Sequence, residues 1–139
     1  MQINLIIVDD DKDTVEIFED FLKFKGFNVL GVGHNGKDAV NLYDKFKPDV
    51  VLMDVMMPEY SGFYGLENIR KINPDAKVIM VTADLTEQTE EKLAELNASA
   101  VLYKPYEIDD VVNTINKVNR GEKLEKSEHT ITPYSPLQN

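Results

Sequence analysis

Cysteine is absent from the 139 residues, which excludes disulfides, thiolate-bound zinc and thiol catalysis together. Positive charge is short: Lys and Arg number 15 against 25 Asp and Glu, a net charge of −10. A phosphate backbone or an anionic lipid surface calls for a basic face, so neither nucleic acid nor membrane is an expected partner. Long apolar runs are missing, and the runs that exist are far too short to span a bilayer. The first residues, Met1-Gln2-Ile3-Asn4, lack the charged region and apolar stretch of a secretory leader, so a cytoplasmic location is expected. Histidine is reduced to His34 and His129, far apart and in no metal-binding spacing. What the chain does have is a 42% hydrophobic content, enough for one core without covalent or metal staples.

Short apolar runs alternate with longer amphipathic stretches. Strands are expected at 3–8, 27–32, 50–53, 78–81 and 100–103, mostly continuous in Val, Ile and Leu as strands buried on both faces should be. Helices are expected at 13–25, 36–46, 62–72, 87–96 and 107–119; the last carries the cleanest stripe, Ile108, Val111, Val112, Ile115 and Val118. Gly26, Pro48 and Asn73-Pro74 punctuate these segments. Five strands alternating with five helices imply an α/β three-layer sandwich with a parallel sheet. Right-handed crossovers favour the flavodoxin-like (βα)5 arrangement, strand order 2-1-3-4-5. Residues 1–119 form the expected domain, and 120–139, polar with Pro133 and Pro136, an expected tail.

The chemistry lies in the polar residue at the end of each run. The first strand ends in Asp9-Asp10-Asp11, the third in Asp54, the fourth in Thr82 and the fifth in Lys104. In an open parallel sheet the carboxyl ends of the strands share the ligand-binding edge. Carboxylates, a hydroxyl and an ammonium therefore converge on one pocket. Clustered carboxylates repel, and a hard divalent cation relieves them; Mg²⁺ in particular keeps room for a phosphoryl oxygen. A carboxylate can itself be the nucleophile and become an aspartyl phosphate. Asp11 is the natural cap of the first helix, and the methionines Met53, Met56, Met57 and Met80 read as apolar filling. His34 reads as a loop residue, and Glu87, Glu90, Glu91 and Glu95 as a solvated helix face.

Asp9-Asp10, Asp54, Thr82-Ala83 and Lys104-Pro105, with Pro58 and Gly62 after Asp54, resemble the receiver domain of two-component response regulators over residues 1–119. The resemblance implies that Asp54 accepts the phosphoryl group. It implies Mg²⁺ on Asp10, Asp54 and the backbone carbonyl of Met56, with Asp9 acting through a water. Thr82 and Lys104 would hold phosphoryl oxygens, and the Lys104-Pro105 peptide would be cis. Such a domain catalyses only its own phosphorylation and dephosphorylation. Its expected partners are a sensor histidine kinase or a histidine phosphotransfer protein, and an output protein, with the domain a monomer or a phosphorylation-dependent dimer.

One position departs from the family. Three residues before the lysine, where receivers often carry Tyr or Phe, stands Val101, so output through the usual threonine–aromatic route is in doubt. Residues 120–139 are too few for an attached output module, which points to a stand-alone receiver. An aspartyl-phosphatase of the haloacid-dehalogenase type would want a second Asp where Met56 stands. A flavin carrier would want Gly, Ser and Thr where Asp9-Asp10-Asp11 would repel phosphate.

Overall fold

The computed structural model describes residues 2–122. The chain runs β1 (Asn4–Val8), α1 (Lys12–Phe24), β2 (Asn28–Gly33), α2 (Gly36–Phe46) and β3 (Val50–Asp54). It continues α3 (Gly62–Ile72), β4 (Val78–Thr82), α4 (Glu87–Glu95), β5 (Ala100–Tyr103) and α5 (Ile108–Asn119). All strands pair in parallel in the order β2-β1-β3-β4-β5, the flavodoxin-like arrangement.

Alternation along the strands divides the core in two. Ile6, Val8, Val51, Met53, Val78, Met80 and Val101 face α2, α3 and α4, meeting Ala39, Tyr43, Leu66, Ile69 and Leu93. Leu5, Ile7, Val50, Leu52, Ile79, Val81 and Leu102 face α1 and α5, meeting Leu22, Val111, Ile115 and Val118. Burial on both faces is why β1, β3 and β4 read as unbroken apolar runs, while the edge strand β2 stays half-exposed.

Side-chain caps set the helix starts. Asp11 caps α1 by accepting from the Asp13 and Thr14 amides, Asn35 caps α2, Ser61 caps α3 and Thr86 caps α4. Gly26, just past the end of α1, takes the left-handed conformation (φ 96°) that terminates a helix without a Cβ penalty.

Two strand ends differ from expectation in a way that matters. β3 and β4 run one residue further than their apolar runs, because Asp54 pairs with Val81 and Thr82 with Tyr103 in the ladder. Both side chains therefore stand on strands rather than on loops. Smaller differences are the one-residue displacement of α1 and β2, and a register shift between Leu5 and Ile6. The polar tail expected over 120–139 falls, from residue 123 on, outside the described residues.

Candidate functional site

Two strand ends set the acidic part of the site. β1 delivers Asp9, whose amide donates to the Gly33 carbonyl at 3.1 Å and whose Oδ1 accepts from the Asp11 amide at 2.9 Å. Asp10 comes next, exposed. β3 delivers Asp54, only 8% exposed. Carboxylate oxygens of Asp9, Asp10 and Asp54 lie within 4.8 Å of one another.

Lys104, at the end of β5, reaches across β4 to this cluster. Its Nζ lies 3.0 Å from Oδ1 and 3.1 Å from Oδ2 of Asp54. Its amide donates to the Thr82 carbonyl at 2.9 Å, tying the ends of β4 and β5 together, and the Lys104-Pro105 peptide is cis. Thr82 is 2% exposed, and its hydroxyl oxygen accepts from the Asp84 amide at 3.0 Å.

The electrostatics record an excess of negative charge. Burial pushes the Asp54 carboxyl up to about 6; Lys104 opposes this, and the charges of Asp9 and Asp10 add to it. Burial also raises Asp9, against the pull of the Asp11 amide and of Lys104. Tyr106, stacked at a tilt on Phe18, is pushed up to about 12 by burial and then by the charges of Asp54 and Asp9. A hard divalent cation among oxygen donors relieves such crowding, and the donor set here fits Mg²⁺.

The profile of the response regulator receiver domain matches residues 5–116 of this sequence. The chain belongs to that family. The receiver is similar to the chemotaxis protein CheY of Thermotoga maritima, 34% identical over 116 residues, covering 84% of this chain and 97% of that one. CheY of Bacillus subtilis is also 34% identical, over 81% of this chain and 94% of its own. Among solved structures, a DNA-binding response regulator of the LuxR family from Staphylococcus aureus matches at 35% identity and a TM-score of 0.79, over 84% of this chain and 98% of that one. A CheX–CheY–BeF3–Mg complex from Borrelia burgdorferi matches at 30% identity and a TM-score of 0.78, over 84% and 88%. The receiver is thus CheY-like, a signalling domain of two-component systems, in a family that normally binds Mg²⁺. Among the described residues no helix is long and apolar enough to cross a membrane.

Within the receiver, Asp9, Asp10, Asp54 and Lys104 converge, and Thr82 stands one strand over from Asp54. Met56, read as apolar filling with the other methionines, is instead 66% exposed, whereas Met53, Met57 and Met80 are buried. Its neighbours in the same loop, Val55 and Met57, are buried, so the loop turns Met56 outward between them. Val101 is 4% exposed, pairs with Met80 and faces the α4 side. His34 lies in the loop between β2 and α2, as expected; its Nδ1 lies 3.1 Å from the Asp9 carbonyl oxygen, and its amide donates to Asp38 at 2.9 Å. Only the proximity of β1 and β2 ends places it there, and no local pattern signals that.

Proposed function

We propose that this receiver takes a phosphoryl group onto Asp54 in a Mg²⁺-dependent transfer from a histidine kinase or histidine phosphotransfer protein, and that the modified state changes its protein contacts. The observation that carries this reading is the Lys104 ammonium bridging both oxygens of a buried Asp54 inside an acidic cluster. One Asp54 oxygen attacks phosphorus in line; the O–P bond forms as the P–N bond of a phosphohistidine breaks, and the imidazole leaves. Asp10, Asp54 and the Met56 carbonyl would hold Mg²⁺, with Asp9 acting through water. The ion supplies neutralisation of charge on the transferring group. Lys104 trades its carboxylate contact for a phosphoryl oxygen, and the Thr82 hydroxyl donates to another. Its own phosphorylation and dephosphorylation are the only reactions this reading gives it. Residues 1–119 would be the working unit, in the cytoplasm, as a monomer or a phosphorylation-dependent dimer.

Incubation with acetyl phosphate and Mg²⁺, followed by intact mass, tests the reading. One phosphoryl group is expected, stable to acid and labile to base and hydroxylamine, as an acyl phosphate is. Asp54→Asn removes the nucleophile and should abolish the label. Undiminished labelling of that variant would assign the acceptor elsewhere.

A further inference from the structure

The loop between β4 and α4 holds a chain of hydrogen bonds that the site chemistry does not use. The Asp84 amide donates to the Thr82 hydroxyl at 3.0 Å, so backbone at 84 is tied to the side chain at the site. The Asp84 carboxylate points the other way along the chain. Its Oδ1 accepts from the Thr86 amide at 2.8 Å, and its Oδ2 accepts from the Thr89 hydroxyl at 2.7 Å. Thr86 is the N-cap of α4, and its own hydroxyl oxygen accepts from the Thr89 amide at 3.4 Å. Thr89 is 8% exposed and, with Leu93, forms the buried side of α4.

The connection is continuous: Thr82 hydroxyl, Asp84 amide, Asp84 carboxylate, then the cap and the buried hydroxyl of α4. Hydrogen bonds to an ionised acceptor are among the stronger ones, and those from Thr89 and Thr86 hold the Asp84 carboxyl below the usual carboxylate range. Thr89 lies in the first turn of α4, where a pull on its hydroxyl acts on the end of the helix nearest the site. Val101, the residue behind Thr82 on the same face of the neighbouring strand, is a small buried aliphatic that offers no polar handle.

We propose that Asp84 is a positioning residue that couples the Thr82 hydroxyl to helix α4 through Thr89, and that this clamp is the route by which the modified state of Asp54 reaches the α4 surface. The proposal rests on the phosphoryl-accepting role given to Asp54 above. A Thr82 hydroxyl drawn toward a phosphoryl oxygen moves the acceptor of the Asp84 amide. Asp84 moves too, and because its carboxylate is fastened to Thr86 and Thr89, the first turn of α4 moves with it. A threonine with only a structural tie would leave α4 where it stands. The contact that differs between the two states is thus that of the Thr82 hydroxyl, and the bond that carries the difference to α4 joins the side chains of Asp84 and Thr89, two and seven residues beyond Thr82.

Thr89→Val keeps the shape of the side chain and removes the donor; Thr89→Ser keeps the donor. The full chain and both variants are labelled with ¹⁵N, and amide shifts are recorded with Mg²⁺ before and after beryllofluoride. Labelling by acetyl phosphate is measured in parallel by intact mass. The expected result is equal labelling in all three proteins and equal shifts at Thr82 and Ala83. Shifts over α4 (Glu87–Glu95) should fall at least about twofold in Thr89→Val and return in Thr89→Ser. Labelled Thr89→Val protein whose α4 shifts match those of the parent overturns the clamp and leaves the role of Asp54 standing. Absence of label and of beryllofluoride shifts in the parent overturns that role, and the clamp with it.

Discussion

The Lys104 ammonium sits astride both oxygens of Asp54, 3.0 Å from Oδ1 and 3.1 Å from Oδ2. It is the force that keeps a buried carboxyl, already pushed up to about 6, from rising further. Lys104→Met should therefore move the Asp54 titration upward in metal-free protein, readable in the carboxyl ¹³C shift against pH. On the role proposed for Lys104, phosphoryl uptake from acetyl phosphate should also slow at least about tenfold in this variant. A midpoint that stays or drops would mean that burial alone sets the Asp54 titration.

The same raised value fixes the sign of a stability effect. The folded state binds the Asp54 proton more tightly than the unfolded chain, whose value is the ordinary 3.8. Stability contributed by this group is present below about pH 4 and lost as pH rises to about 6. Asp54→Asn in chelator should thus be more stable than the parent above pH 6, by about 1 kcal/mol after allowance for partial solvent screening and the loss of the Lys104 partner. The gap should close toward pH 4. Urea titrations across this range would measure it, and a variant less stable than the parent at pH 7 contradicts it.

Affinity for Mg²⁺ should come from the cluster and not from the −10 net charge. Asp10→Ala should weaken binding about tenfold or more, an effect of at least ~1.4 kcal/mol. Glu95→Ala, which removes an exposed acid at the far end of α4, should stay within about twofold. Equal losses in titration calorimetry would mean diffuse attraction.

Gly62 answers to the backbone of Asp54. A Cβ at Gly62 would run into the Asp54 carbonyl oxygen, and would meet the Val55 Cα at 2.8 Å. The Gly62 amide also donates to the Val55 carbonyl at 2.8 Å, holding the return of the loop into α3. Gly62→Ala should destabilise the fold by about 2–4 kcal/mol, against a propensity change that by itself favours Ala in a helix. Thermal or urea unfolding would read it, and a stabilised variant would show that the loop has room to give.

The sheet order and the site edge are legible in the sequence because burial on both faces leaves unbroken apolar runs, and because each run that matters stops at a polar residue. Asp9, Asp10, Asp54, Thr82 and Lys104 announce themselves by that position. The strand extensions to Asp54 and Thr82 do not, since a polar side chain ends an apolar pattern even where the backbone ladder goes on. His34 and the Asp84–Thr89 bond are equally silent. The first depends on two loops meeting across β1 and β2, the second on the turn between Thr82 and Thr86, and neither leaves a periodic trace. Met56 misleads for the opposite reason: its residue type suggests a core, yet its side chain is exposed between the buried Val55 and Met57.

Helices α2 and α3 meet through bare backbone at their first turns. The Gly36 amide donates to the Tyr60 carbonyl at 2.7 Å, and a Cβ at Gly36 would strike the Ser61 carbonyl oxygen and lie 3.0 Å from the Gly65 nitrogen. At that point no side chain intervenes and there are no rotamers to exchange, while at the far end of the seam the Asn73 side chain donates to the Tyr43 hydroxyl at 3.0 Å. Helix α4, on the same face of the sheet, is fastened at its first turn by side chains instead, a carboxylate and two hydroxyls. If Asp54 is the acceptor proposed above, a change at the strand ends should register more over the first turn of α4 than at the close approach of Gly36 and Gly65.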